Sequence, residues 1–145
     1  MTKTTLAQMI DGRKVHTIGP DESIRSACIT MASVNVGALP VVEADGTLLG
    51  MLSERDVIQR SIIVYRPSET TKVRKVMTPN PQWLPPDAKP EEAFEAMVKG
   101  GFRHLPICND GKVAGIVSIR DFSPKKTSLL DRLRGTSGKT TIVQA

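Results

Sequence analysis

Apolar and polar residues alternate along the chain in an order that occurs twice. Residues 36–56 and 101–121 each contain an apolar run, an acidic turn with a glycine, a second apolar run and a Ser-x-x-Asp sequence. Two apolar runs around a short glycine-containing turn are typical of a β-hairpin. Because similar units can bury one another's apolar faces, the repeat predicts two units packed together.

The residues around each hairpin complete the predicted unit. Short alternating stretches at 15–18 and 82–84 predict a first strand, and apolar residues at helical spacing follow each of them. A second helix is predicted over residues 54–64, and its counterpart in the second unit is cut short before Pro124. The prediction is therefore an α/β (α+β) fold of two pseudo-symmetric β-α-β-β-α units.

Short anchoring stretches precede the two units. Three apolar residues near the N-terminus share one face of a short helix, and three residues of the same kind come before the second unit. These positions are Leu6, Met9 and Ile10, then Val73, Val76 and Met77. We expect a first unit with its N-terminal anchor over 1–64, a connector over 65–72, a second unit over 73–122, and a basic, partly disordered tail over 123–145.

Composition agrees with one compact unit. The chain has 145 residues, 39% hydrophobic and 24% charged, which is usual for a globular domain. No apolar run approaches the roughly 18 residues needed to cross a bilayer, and no signal peptide is evident. Cys28 and Cys108 stand alone in the sequence. We therefore expect a cytoplasmic protein without membrane contact, metal site or disulfide.

The charge distribution leaves one alternative function open. The formal net charge is +5, and from Ser123 onward there are five basic residues against one acid. Such a cluster is more often a solvated terminus than a contact surface. The alternative is a nucleic-acid or anion-binding protein that acts through this tail.

An enzyme is not predicted. The sequence lacks a Ser-His-acid order, an H-E-x-x-H motif and a phosphate-binding G-x-x-x-x-G-K-[ST] loop. No cofactor is expected to be required.

The repeated order G-x-L-P-V-V, acidic turn with glycine, and G-h-h-S-x-x-D, where h is apolar, resembles the CBS domain. Two copies resemble a tandem CBS pair, or Bateman module, and the likeness covers residues 6–122. The resemblance implies a disc-like module with two clefts that often bind AMP, ADP or ATP, and less often S-adenosylmethionine or a dinucleotide such as NAD. It further implies a regulatory sensor that signals energy state to a partner protein.

The two Ser-x-x-Asp sequences have two interpretations. The spacing is that of a capping box, in which the serine caps a helix and the acid bonds back to it. A helix N-terminus also favours an anion, and a carboxylate there can accept both ribose hydroxyls. By resemblance, Asp56 and Asp121 would hold ribose. The residues that would meet phosphate are Ser53, Ser118, Arg55 and Arg120.

Two basic residues precede the second hairpin. The resemblance implies that Arg103 and His104 clamp phosphate, whereas spacing alone equally allows a surface arginine beside a packed histidine. The first unit has Gly37 and Ala38 there instead. The second cleft is therefore expected to bind more tightly.

The first strand of each unit is the expected site of the adenine ring. In the first unit these residues are His16 and Thr17, and in the second they are Gln82 and Trp83. Pro81 has no N–H to donate to a base, while Trp83 could offer a stacking surface.

A sensor without an effector domain needs a partner. The resemblance implies a homodimer formed through helices, and the candidate contact residues are Val57, Ile58, Ile62 and Met97. The regulated protein is not identified by the sequence.

Overall fold

The computed structural model describes residues 4–122. The predicted basic tail from Ser123, the helix limit at Pro124 and the alternative function based on the tail lie outside these residues. Within the described range, no helix is both long and apolar enough to cross a membrane.

Helices and strands alternate along the chain as the repeat predicts. The α-helices are α1 Leu6–Ile10, α2 Ile24–Val34, α3 Glu54–Val57 and α4 Pro90–Gly100; α3 continues as a π-helix over Ile58–Ile62. Short 3-10 helices span Val73–Lys75 and Ile119–Phe122. The strands are β1 Ala38–Val42, β2 Leu48–Ser53, β3 Thr78–Pro79, β4 His104–Asn109 and β5 Lys112–Ser118.

Both predicted hairpins are present. Strands β1, β2 and β3 form one antiparallel sheet, and β4 and β5 form a second. Each hairpin has a register shift at the equivalent place, after Val41 in β1 and after Ile107 in β4. The turn glycines Gly46 and Gly111 have φ of 93° and 77°, conformations that favour glycine. The mixed α/β fold with two related units is confirmed.

The predicted first strands are reduced to single bridges. Ile18 pairs in parallel with Val41, and Leu84 pairs in the same way with Ile107. Prolines follow both positions closely, at Pro20 and Pro85. Because proline has no N–H to donate, it cannot extend a ladder of backbone hydrogen bonds. Each first strand is therefore shorter than its alternating pattern predicts.

Two hydrophobic cores lie in the two units, and each is completed by a distant segment. Helix α1 contributes Leu6 and Met9 to the core of the second unit, although it precedes the first unit in the chain. The turn before the second unit contributes Val73 and Val76 to the core of the first. We call these the crossed anchors: α1, residues 6–10, and the linker anchor, residues 73–78, which ends at the first residue of β3.

Backbone hydrogen bonds fix the crossed anchors in place. Leu6 donates its N–H to the Ala88 carbonyl at 2.9 Å. In the equivalent arrangement, Val73 donates to the Glu22 carbonyl at 2.8 Å. The two units are thus tied together by chain segments as well as by their sheets.

A glycine in each second hairpin strand admits the crossed anchor. A Cβ on Gly50 would lie 2.8 Å from the Thr78 carbonyl oxygen, and one on Gly115 would lie 2.6 Å from Cδ1 of Ile10. Both distances are shorter than a side chain tolerates. The glycine before the Ser-x-x-Asp sequence is therefore required by packing.

Two of the four residues expected at a dimer contact are unavailable. Val57 and Met97 are buried, because they face the cores of the first and second unit. Ile58 and Ile62 are exposed as expected, and Phe94 and Val98 on α4 are exposed too. The accessible apolar face of the second unit thus lies beside Met97 on α4 rather than at Met97 itself.

Candidate functional site

The two hairpins meet at their turns. Leu48 donates its N–H to the Gly111 carbonyl at 3.0 Å, and Val113 donates to the Gly46 carbonyl at 3.1 Å. The opposite ends of the hairpins therefore carry the residues that sequence analysis singled out. There Ala38 pairs with Ser53, and His104 pairs with Ser118.

The first Ser-x-x-Asp sequence forms a complete capping box. The Oδ2 atom of Asp56 accepts hydrogen bonds from the backbone N–H and the hydroxyl of Ser53, both at 3.0 Å, and the Asp56 N–H donates to Ser53 Oγ at 3.1 Å. The Thr78 hydroxyl donates to Asp56 Oδ1 at 3.3 Å. The capping interpretation is correct here, and the linker anchor reaches the same carboxylate.

The second Ser-x-x-Asp sequence is held by a residue that the sequence analysis missed. The Ser118 N–H donates to Asp121 Oδ2 at 2.7 Å. Arg13 then donates from Nη1 to Oδ2 at 3.1 Å and from Nη2 to Oδ1 at 3.0 Å. Ser118 Oγ accepts from the Arg120 N–H at 3.2 Å, so it caps this turn one residue earlier than Ser53 caps α3.

Repeat symmetry was the signal that could have found Arg13. Thr78 follows Arg13 by the same 65 positions that separate Asp121 from Asp56. Each aspartate is met by the segment that leads into the first strand of the other unit. The stretch leading to His16 and Thr17 therefore approaches Asp121, and the stretch leading to Gln82 approaches Asp56.

His104 lies where the two units face each other. A Cβ on Gly37 would contact both the Glu54 carboxylate, at 3.2 Å, and Cε1 of His104, at 3.6 Å. Burial lowers the pKa of His104, and the charge of Arg103 acts in the same direction, whereas the Glu54 carboxylate opposes the shift. The ring is therefore neutral at pH 7 and carries one N–H donor. Glu54 was not singled out by the sequence analysis.

Three arginines near the aspartates have unused donors. Among residues 4–122, the side chains of Arg55, Arg103 and Arg120 form no hydrogen bond or ion pair, and all three are exposed. Arg103 and Arg120 both lie close enough to His104 to influence its charge. An exposed guanidinium group without a partner can bind an anion through several N–H groups. The second cleft has two of them and the first has only Arg55.

The four residues expected to contact adenine do not all lie near the two aspartates. Trp83 is 47% exposed and lines a cavity of about 300 Å³ together with the turn residues Thr47 and Gly111. That cavity lies at the opposite end of the hairpins from Ser53 and Ser118, so the structure does not bring Trp83 to either aspartate. Gln82 and Thr17 are exposed and His16 is half-buried.

Comparison with known proteins identifies both units. The family model described as CBS domain matches residues 8–62 and 73–123. The uncharacterized protein YlbB of Bacillus subtilis is 34% identical over 103 residues, which are 70% of this chain and 69% of that protein. The CBS domain-containing protein CBSCBSPB1 of Arabidopsis thaliana is 37% identical over 106 residues, or 73% of this chain, but these are only 20% of that protein.

Solved structures show the same fold. A CBS domain structure, NE2398, is 34% identical with a TM-score of 0.77, covering 85% of this chain and 97% of that one. CBSX2 in complex with AMP is 23% identical with a TM-score of 0.73, covering 90% and 99%. The CBS domain pair of protein MJ0100, in complex with 5′-methylthioadenosine and S-adenosyl-L-methionine, is 23% identical with a TM-score of 0.75, covering 88% and 99%.

Proposed function

This chain is a member of the CBS domain family, and we propose that it is a regulatory module that binds an adenine nucleotide, AMP, ADP or ATP, at Asp121. Its role is sensing rather than catalysis. Family members of the same fold have been solved with AMP and with two other adenosine derivatives, 5′-methylthioadenosine and S-adenosylmethionine. These ligands share adenine and ribose, the part of a nucleotide that a carboxylate can recognise through the hydroxyls.

The observation that carries the proposal is the grouping of one carboxylate with three nitrogen donors. Asp121 is oriented by the Ser118 N–H, and the charges of Asp121, Arg103 and Arg120 all act on His104. The carboxylate suits a ribose diol, and two unpaired guanidinium groups with an imidazole suit phosphate. In the first cleft, Gly37 and Ala38 replace the clamp, so Asp56 is proposed to bind more weakly.

Calorimetric titration with AMP tests this proposal. For protein freed of bound nucleotide, Asp121→Asn is expected to weaken AMP binding by roughly tenfold or more, because a hydrogen bond to a charged group contributes about 1.5–3 kcal/mol. Asp56→Asn is the matched control, since it removes an equivalent carboxylate from an equivalent cap, and it is expected to change the affinity little. Absence of binding to AMP, ATP, S-adenosylmethionine and NAD alike would leave both sequences as capping boxes only.

A bound nucleotide can signal only through a second protein or a second copy of this chain. A ligand shifts the relative position of the two units only if it binds one arrangement more tightly. We propose that the exposed apolar residues of the helices mediate a homodimer, and that this dimer acts on a regulated protein. These residues are Ile58, Ile62, Phe94 and Val98.

Sedimentation at micromolar concentration tests the homodimer. Ile62 is 63% exposed, and Ile62→Asp is expected to convert dimer to monomer because a charge would then be buried against an apolar surface. Ala44→Asp adds the same charge in the exposed β1–β2 turn and is expected to leave the dimer intact. A monomeric wild-type protein would contradict the proposal.

A further inference from the structure

We propose that Arg13 is a tethered competitor for Asp121, which makes the second cleft select nucleotides that carry phosphate over uncharged nucleosides. This inference rests on the proposed function, because it concerns which adenosine derivatives that cleft accepts. It assigns a role to a residue in the segment between α1 and the first strand.

The geometry of the pair shows what a ligand has to replace. Arg13 uses both Nη atoms of its guanidinium group, one on each oxygen of Asp121, at 3.0 and 3.1 Å. A ribose diol also donates from two adjacent groups to the two oxygens of a carboxylate. The guanidinium group of Arg13 and the ribose diol thus need the same two oxygens of the Asp121 carboxylate. Ribose can dock there only when Arg13 moves away.

Arg13 is placed so that it can move without disturbing the fold. Its side chain is 43% exposed, and that of Asp121 is 20% exposed. Its backbone N–H bonds to the Ile10 carbonyl at 3.0 Å, which fixes the main chain at the end of α1. Only the long, flexible side chain has to swing.

The displaced Arg13 side chain makes the second cleft select ligands that carry a negative charge. A nucleotide brings a phosphate that can pair with Arg13 after the exchange, so the lost ion pair is replaced by a new one. A nucleoside such as adenosine offers no anion, and it leaves Arg13 without a partner for its charge. The second cleft therefore favours AMP over adenosine by more than phosphate contacts with Arg103 and Arg120 alone would give.

The first cleft has no arginine paired with its aspartate. The equivalent position is Thr78, whose neutral hydroxyl bonds to Asp56 at 3.3 Å. Loss of that hydrogen bond leaves no charge unpaired. The charge selection is thus a property of one cleft, and Thr78 provides a matched control.

Titration of AMP and adenosine into the wild-type protein and Arg13→Ala tests the inference. The variant is expected to bind adenosine about 1.5- to fivefold more tightly, the range for removal of a partly exposed ion pair. Its AMP affinity is expected to stay equal or to fall, so the AMP preference decreases. Thr78→Ala should leave the affinities of the second cleft for AMP and for adenosine unchanged. Thermal melting should show that all the proteins are folded.

The outcomes separate the inference from the proposed function. If AMP binds the wild-type protein and Arg13→Ala leaves adenosine affinity unchanged or weaker, Arg13 does not compete for Asp121 and the inference is overturned while the proposed function stands. If neither ligand binds either protein, the inference is overturned, and the proposed function is overturned with it when ATP, S-adenosylmethionine and NAD also fail to bind the wild-type protein. In Arg13→Ala combined with Asp121→Asn, the gain in adenosine affinity should disappear, and a gain that persists would also overturn the inference.

Discussion

Replacing Leu6 with alanine is expected to lower the free energy of unfolding by about 2–5 kcal/mol, the cost of removing a fully buried leucine side chain from a packed core. Leu6 is completely buried among residues of the second unit, including Leu105 and Val117. A substitution in α1, which precedes the first unit, should therefore destabilise the second unit.

Urea denaturation followed by tryptophan fluorescence can measure this effect, because the single tryptophan of the chain, Trp83, belongs to the second unit. Val64→Ala removes similar apolar atoms from a side chain that is 51% exposed, and it is expected to change the stability by less than about 0.5 kcal/mol. Equal, small effects of the two substitutions would show that α1 does not complete the second core.

Gly50→Ala is expected to destabilise the protein by about 1–3 kcal/mol, because the added methyl group overpacks the contact between β2 and the linker anchor. The nearest backbone atom, the Thr78 carbonyl oxygen, would lie 2.8 Å from the new Cβ. Relief requires that β3 move away from β2, and Thr78 would then withdraw from Asp56. Weakened packing and a disturbed first cleft are expected together.

Gly19→Ala is the control for Gly50→Ala. A Cβ on Gly19 would meet its nearest neighbour, a carboxylate oxygen of Glu22, at 3.5 Å, which is an ordinary contact. Substitution there is expected to be neutral or to stabilise by up to about 1 kcal/mol, because alanine restricts the unfolded chain. Thermal melting of both variants makes the comparison. A Gly50→Ala protein as stable as Gly19→Ala would show that β2 and the linker anchor are not in close contact.

The sequence predicts the local parts of this fold well. Each hairpin strand is an apolar run next to a turn whose glycine takes a positive φ, and α2 and α4 present apolar residues at helical spacing. These features depend on neighbours within a few positions. The repeat adds the relation between the two units, because equivalent sequences form equivalent structures.

Features that depend on distant segments were not predictable in the same way. The amphipathic pattern of α1 shows that Leu6 and Met9 are buried, but it does not show in which unit. The Arg13–Asp121 pair joins residues more than 100 positions apart, and neither residue has a local pattern that points to the other.

The crossed anchors also set an order of events during protein synthesis. The first unit and the linker anchor that completes its core are all made by about residue 77, so this half can fold while the rest of the chain is still on the ribosome. Helix α1 is made before the first unit but binds residues made some 80–110 positions later, including Ala88 and Val117. Its apolar face stays without its native partner until those residues have been made, and its docking then completes the second core.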